Sequence, residues 1–130
     1  MKEKRRLAEN LYNMALLYLD LDRLKDAEQH AVQALEVRRS IGDGIHPEVA
    51  INLHGIGRIN TSQERYPEAH ARYEGALQMF EATLGDVHPY VAVAWSDLAD
   101  LLDRLGLQGQ AVYAADRARK ARAALAAEES

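Results

Sequence analysis

Five histidines are the first residues to question, because imidazole ionises near neutral pH and serves both proton transfer and metal binding. They stand at positions 30, 46, 54, 70 and 88. None belongs to a His-Glu-x-x-His pair, and the chain carries no Gly-x-Ser-x-Gly elbow and no Gly-rich phosphate loop. His46 and His88 each precede a proline, Pro47 and Pro89, where a helix would begin, and that gives them a structural reason to be there. His54 is the one with acidic company in prospect, Asp97 or Asp100. A single imidazole beside carboxylates, with no nucleophile and no second metal ligand, is too little for acid–base catalysis. Cysteine is absent, which removes disulfides, thiol chemistry and cysteine-held zinc. We expect no enzyme, no metal and no cofactor.

The chain has 130 residues, the size of one domain, and is 48% hydrophobic but only 6% aromatic. Much of the apolar content is alanine, which suits close-packed helices. A net charge of −4 gives no electrostatic reason to bind nucleic acid. No apolar run approaches the roughly 20 residues of a membrane-spanning helix, and the basic start MKEKRRLAEN lacks the apolar stretch of a signal peptide. A cytoplasmic protein is the expectation.

What positions any functional residue is a repeat of period 42. Ala27, Ala69 and Ala111 share one phase, as do Ala34, Ala76 and Ala118, and His46-Pro47 returns as His88-Pro89. Within each unit the apolar spacing is helical: Leu7, Leu11, Met14, Ala15 and Tyr18 fall on one face, then Val49, Leu53, Ile56 and Gly57, then Val91, Trp95, Leu98, Ala99 and Leu102. A second helix follows each, carrying Ala27 to Leu35, Ala69 to Leu77 and Ala111 to Ala118. Turn signals separate the paired helices at Asp20–Arg23, Glu64–Pro67 and Gly106–Gly109, and separate the units at Gly42–Pro47 and Gly85–Pro89. No stretch alternates with period two. Six helices and no sheet are predicted.

These residues resemble the tetratricopeptide pattern, with Leu11, Met14, Ala15, Tyr18, Ala27, Ala31 and Ala34 in the first unit and their phase partners in the next two. The period exceeds the common 34, and Leu84-Gly85-Asp86-Val87-His88-Pro89 is similar to the linker of kinesin light chains and bacterial regulatory proteins. Asn60 replaces the usual aromatic, and Ala31 and Ala115 underfill a position that is normally bulky. The resemblance implies an all-α fold, a right-handed α-solenoid of three helix-turn-helix repeats. Their expected limits are about 5–46, 47–88 and 89–130, the last including a capping helix. It also implies a concave groove lined by first helices that binds a peptide or helical segment of another protein. Carried over by position, the groove residues are Tyr12, Asn13 and Leu16, then His54 and Arg58, then Ser96, Asp97, Asp100 and Asp103. Glu9, Asp20, Ile51, Gly55, Ser62 and Arg104 flank them. Asn13 and, one phase off, Asn52 resemble the asparagines that hold a ligand backbone in this family. The groove lacks the lysines that some relatives use to clamp a terminal carboxylate. From Tyr12, Leu16 and Leu19 to the aspartates the floor runs from apolar to acidic, matching a peptide with an apolar end and a basic end; alternatively Arg58 simply pairs with Asp100.

The two ends differ. The last helix has Arg119 where the earlier units have Leu35 and Leu77, amid Arg117, Lys120 and Arg122, and reads as a cap with a solvated outer face. The first helix is apolar nearly all round and should be covered on more than one side. A partner's segment, a homo-oligomer formed through this helix, or further repeats of a longer protein, such as a bacterial regulator's sensor, would each supply that cover. The small residues at the helix crossings test the pairing. Ala69→Leu should destabilise the fold by about 1–3 kcal/mol through overpacking, and an unchanged melting temperature would show that the helices are paired wrongly.

Overall fold

The computed structural model describes residues 2–42 and 44–129; Asp43 of the first inter-repeat linker lies outside them. Six helices follow in order: α1 (Lys2–Asp20), α2 (Leu24–Ser40), α3 (Pro47–Ser62), α4 (Tyr66–Leu84), α5 (Pro89–Arg104) and α6 (Gln108–Glu129). Among the described residues there is no strand. α1 pairs with α2, α3 with α4 and α5 with α6, and each hairpin stacks on the next through α2 against α3 and α4 against α5. This is the predicted solenoid.

The same backbone device turns every hairpin. Asp22 (φ 59°), Glu64 (φ 61°) and Gly106 (φ 77°) are one period apart, and each takes the left-handed conformation just past its helix. The following amide then reaches back to the last turn: Arg23 to the Tyr18 carbonyl at 2.9 Å, Arg65 to Asn60 at 2.8 Å and Leu107 to Leu102 at 3.0 Å. Such a bond satisfies a carbonyl that the helix end would leave bare. Between hairpins, the expected role of the two linker histidines holds. The Nδ1 of His46 accepts the Glu48 amide and that of His88 accepts the Tyr90 amide, both at 3.1 Å. Each caps the helix that its proline opens.

Helix crossings are closed by small residues. Ala15, Ala27 and Ala69 are fully buried, and Ala99 and Ala111 nearly so. At Gly57 even a methyl is too large, because a Cβ would lie 2.6 Å from the Tyr73 ring. The departures noted in the sequence compensate here. Where repeat two has a bulky Tyr73 it has Gly57; at the same phases repeats one and three have Ala31 with Ala15 and Ala115 with Ala99. Asn60, in place of an aromatic, is buried and donates through Nδ2 to Gln63 Oε1 at 3.1 Å.

The basic residues of the last helix are not all solvated. Arg119 and Lys120 are exposed as expected, but Arg117 lies 5.4 Å from the centre of the Trp95 ring and 3.7 Å from a Glu81 carboxylate oxygen. Its guanidinium thus joins the Trp95 ring of α5, in its own hairpin, to a carboxylate of α4.

The hairpin turn yields a signed expectation. A left-handed conformation costs a non-glycine residue about 1 kcal/mol, so Glu64→Gly should raise stability by up to about 1 kcal/mol and Gly106→Glu should lower it comparably. Thermal or urea melts of the two variants check both signs.

Candidate partner-binding groove

α1 approaches α3 and α3 approaches α5, whereas α2 and α4, or α4 and α6, make no such approach among the described residues. The first helices therefore form the inner side of the stack. Every residue the sequence placed in a groove is on one of them, and the structure divides those residues into two classes.

One class ties neighbouring first helices together. The tip of the Tyr12 ring covers Gly55, where an added Cβ would sit 2.5 Å from the phenol oxygen, and its hydroxyl donates to the Ile51 carbonyl at 3.2 Å. One repeat on, His54 Nε2 meets Asp97 Oδ2 at 2.7 Å. Residues 12 and 55, like 54 and 97, are 43 apart, so the two links occupy the same place in successive repeats. Gly55 is thus covered by Tyr12 and forms no open floor. His54 is largely enclosed, with its ring 5.5 Å from that of Tyr73, and its acidic neighbour is Asp97.

The other class is open. Asn13, Arg58, Asp100 and Asp103 are exposed, while Leu16 and Ser96 are half-buried. No ion pair joins Arg58 to Asp100 among the described residues, and both side chains are exposed. Asp103 accepts from Gln108 Nε2 at 3.0 Å, which holds it toward the turn of its own hairpin. Asn52 is a correction. It is 1% exposed, and no acceptor takes its Nδ2 hydrogens among the described residues. The one-phase offset turns it away from the groove into the packed interior, where it cannot hold a ligand backbone. The apolar end of the floor is also reduced: Tyr12, Leu16 and Leu19 are half-buried, whereas the exposed apolar residues of α1 are Leu7, Met14, Leu17 and Leu21, on another side.

Sequence reading missed one concavity, because it depends on three helices at once. A depression of about 420 Å³ opens on the outer side between α4 and α6, floored by Leu77, Trp95, Leu98 and Leu102 and walled by Tyr113 and Ala114. One period earlier Arg72 stands at the phase of Ala114, and Arg65 bridges to Glu28 at 3.1 Å. No group of three or more potential metal ligands occurs among the described residues, and no helix there is long and apolar enough to cross a membrane.

Comparison with known proteins decides the family. The tetratricopeptide repeat model matches residues 6–82 and 62–124. The chain belongs to the tetratricopeptide repeat family. It is 38% identical over 82 residues to the protein Kinesin light chain-related 1 of Arabidopsis thaliana, which is 63% of this chain and 13% of that protein. Among solved structures it is similar to BtubC (BKLC) of P. vanneervenii, with a TM-score of 0.87 and 23% identity over 92% of this chain and 47% of that one. It is also similar to kinesin light chain nearly identical TPR-like repeats from Podospora anserina, with a TM-score of 0.82 and 20% identity over 95% of this chain and 58% of that one. This tetratricopeptide array thus spans about an eighth of the plant relative and about half of the two solved chains. Tetratricopeptide repeats are generally protein–protein interaction modules.

The inner tyrosines supply a pH test. Burial, the largest influence, pushes the phenols of Tyr12 and Tyr73 up from 10 to about 12, against smaller opposing pulls from the Arg58 charge on Tyr12 and the Thr61 hydrogen bond on Tyr73. The folded state therefore holds these protons more tightly than the unfolded chain does. The stabilisation is complete below pH 10 and is lost as pH rises through about 12. Ultraviolet titration should show two tyrosines ionising only near pH 12 together with loss of helix, and Tyr73→Phe should lessen that alkaline loss.

Proposed function

We propose that the inner groove binds an extended or helical segment of a partner protein, and that the chain acts as a non-catalytic, cytoplasmic scaffold. The observation that carries this reading is the contrast between the two classes of groove residue. Tyr12 with Gly55 and His54 with Asp97 hold the first helices in place, which leaves Asn13, Arg58 and Asp100 exposed on three successive helices. Polar groups fixed on rigid helices and left without internal partners lose little entropy when a ligand orders against them. Asn13 suits a peptide backbone, because one amide both donates and accepts. Arg58 followed by Asp100 and Asp103 asks for a segment whose charge changes sign along its length, acidic toward repeat two and basic toward repeat three.

The arrangement predicts which substitutions matter. In quantitative pull-downs, Asn13→Ala and Asp100→Lys should each reduce capture of the partners held by the wild type, while leaving the melting temperature within about 1 °C because both sites are exposed. Raised salt should weaken the wild-type interaction. Capture unaffected by both substitutions would move the recognition surface away from the groove.

A further inference from the structure

Each junction between hairpins leaves a concavity on the outer side, where two second helices flank the first helix beneath them. It measures about 310 Å³ at the first junction and about 420 Å³ at the second. Their linings differ at matching phases. Glu28, Arg65, Glu68 and Arg72 border the first, and Arg65 reaches Glu28 at 3.1 Å, so charges on its two walls satisfy one another. One period on, those phases hold His70, Leu107, Gln110 and Ala114, while Asn60 gives way to Leu102 and Ala71 to Tyr113. Helix stacks on helix in the same way at both junctions, so packing does not call for this change. The change also sets an aromatic ring in water. Tyr113 is 60% exposed, and its ring meets that of Trp95 at 83° with centres 5.9 Å apart.

The second concavity has the form of a pocket. α5 gives the floor and α4 and α6 the walls, and the Arg117 guanidinium, 3.7 Å from the Glu81 carboxylate, spans the walls at one end. Its volume falls in the range that small molecules occupy, and its floor is aromatic and aliphatic. The rim is acidic. Glu74, with its side chain 54% exposed, is held by His70 one turn earlier on α4, and Glu81 stands two turns later. Asp86 lies beside Glu81, so Arg117 is already matched by two carboxylates at that end. Among the described residues no lysine or arginine lines the pocket, which leaves Glu74 with no permanent positive charge opposite it.

We propose that this pocket binds a small organic cation, an aromatic ring seated against Trp95 and Tyr113 with an ammonium group that reaches Glu74. Ring packing on the two aromatic residues supplies the apolar contact, and the carboxylate selects the charged end. The closed end favours a compact ligand over a chain that would have to run through it. The site shares no residue with the inner groove, so its occupant leaves that surface open.

Trp95 is the only tryptophan of the chain, so its emission reports directly on this pocket. The probes are phenethylamine, phenethyl alcohol and phenylacetate, which are close in size and carry a positive, no and a negative charge. The amine should bind about fivefold more tightly than the alcohol, the upper range for an exposed ion pair, and phenylacetate more weakly than either. Glu74→Gln should abolish the preference for the amine and leave the alcohol's affinity unchanged. Tyr113→Ala should weaken all three by about threefold or more through the lost ring contact, while circular dichroism stays as in the wild type. Asn13→Ala should change nothing. The proposal is overturned if Trp95 emission shows no saturable response to the amine up to about 10 mM, where a ligand of this size should bind. Phenylacetate bound as tightly as the amine, or an amine preference that survives Glu74→Gln, would overturn it too.

Discussion

Every first helix in this chain has an apolar side that its own hairpin cannot close. Covering that side takes the second helix of the hairpin before, and the rest of the structure is arranged around that dependence. The alanines at the crossings allow the two helices of a hairpin to approach, which leaves the larger side chains, Val49, Ile56, Ile59, Val91, Leu98 and Leu101, to fill the space between hairpins. The inter-repeat linkers then have one task, to start the next helix at a fixed angle. The capping imidazoles of His46 and His88, each beside a proline, do so with the same geometry twice. α6 departs from the earlier second helices in carrying Arg119 at the phase of the buried Leu35 and Leu77, and Arg122 at that of Arg38 and Phe80.

The sequence made the architecture legible because a repeat is its own control. A residue type that recurs at one phase three times needs a reason common to all three, and alanine at helix crossings is that reason. The structural role of the linker histidines could be read the same way, from two copies of His-Pro. Phases at which the copies differ were harder. Glu64 and Asp22 give no hint of a left-handed turn until Gly106 is set beside them. Tyr73 looks like an ordinary bulky residue until Gly57 is seen to make room for it.

The inner side of the stack was legible in outline and misread in detail, for a physical reason. Helical phase tells which side of a helix a residue is on, so Asn13, Arg58, Asp100 and Asp103 were placed correctly on first helices. It does not tell which of those residues are consumed by the neighbouring repeat. Tyr12 on Gly55 and His54 on Asp97 are separated by one period plus one, a spacing that matches neither the repeat nor any helical turn. Asn52 was misjudged because a shift of one residue turns a side chain by more than a quarter of a helical turn. The apolar excess on the first helix was legible, but the exposure of Leu7, Met14 and Leu17 shows only in the structure, beside the burial of their copies.

The two links between first helices are alike in position and unlike in kind. An aromatic ring pressed on bare backbone is short-ranged and unforgiving: sliding it opens a void that nothing small can fill. An imidazole joined to a half-exposed carboxylate is a single polar contact, and solvent can take over either end of it. A load applied along the stack would therefore be shared unequally. Between the first helices themselves, the link at Tyr12 resists sliding more than the link at His54 does.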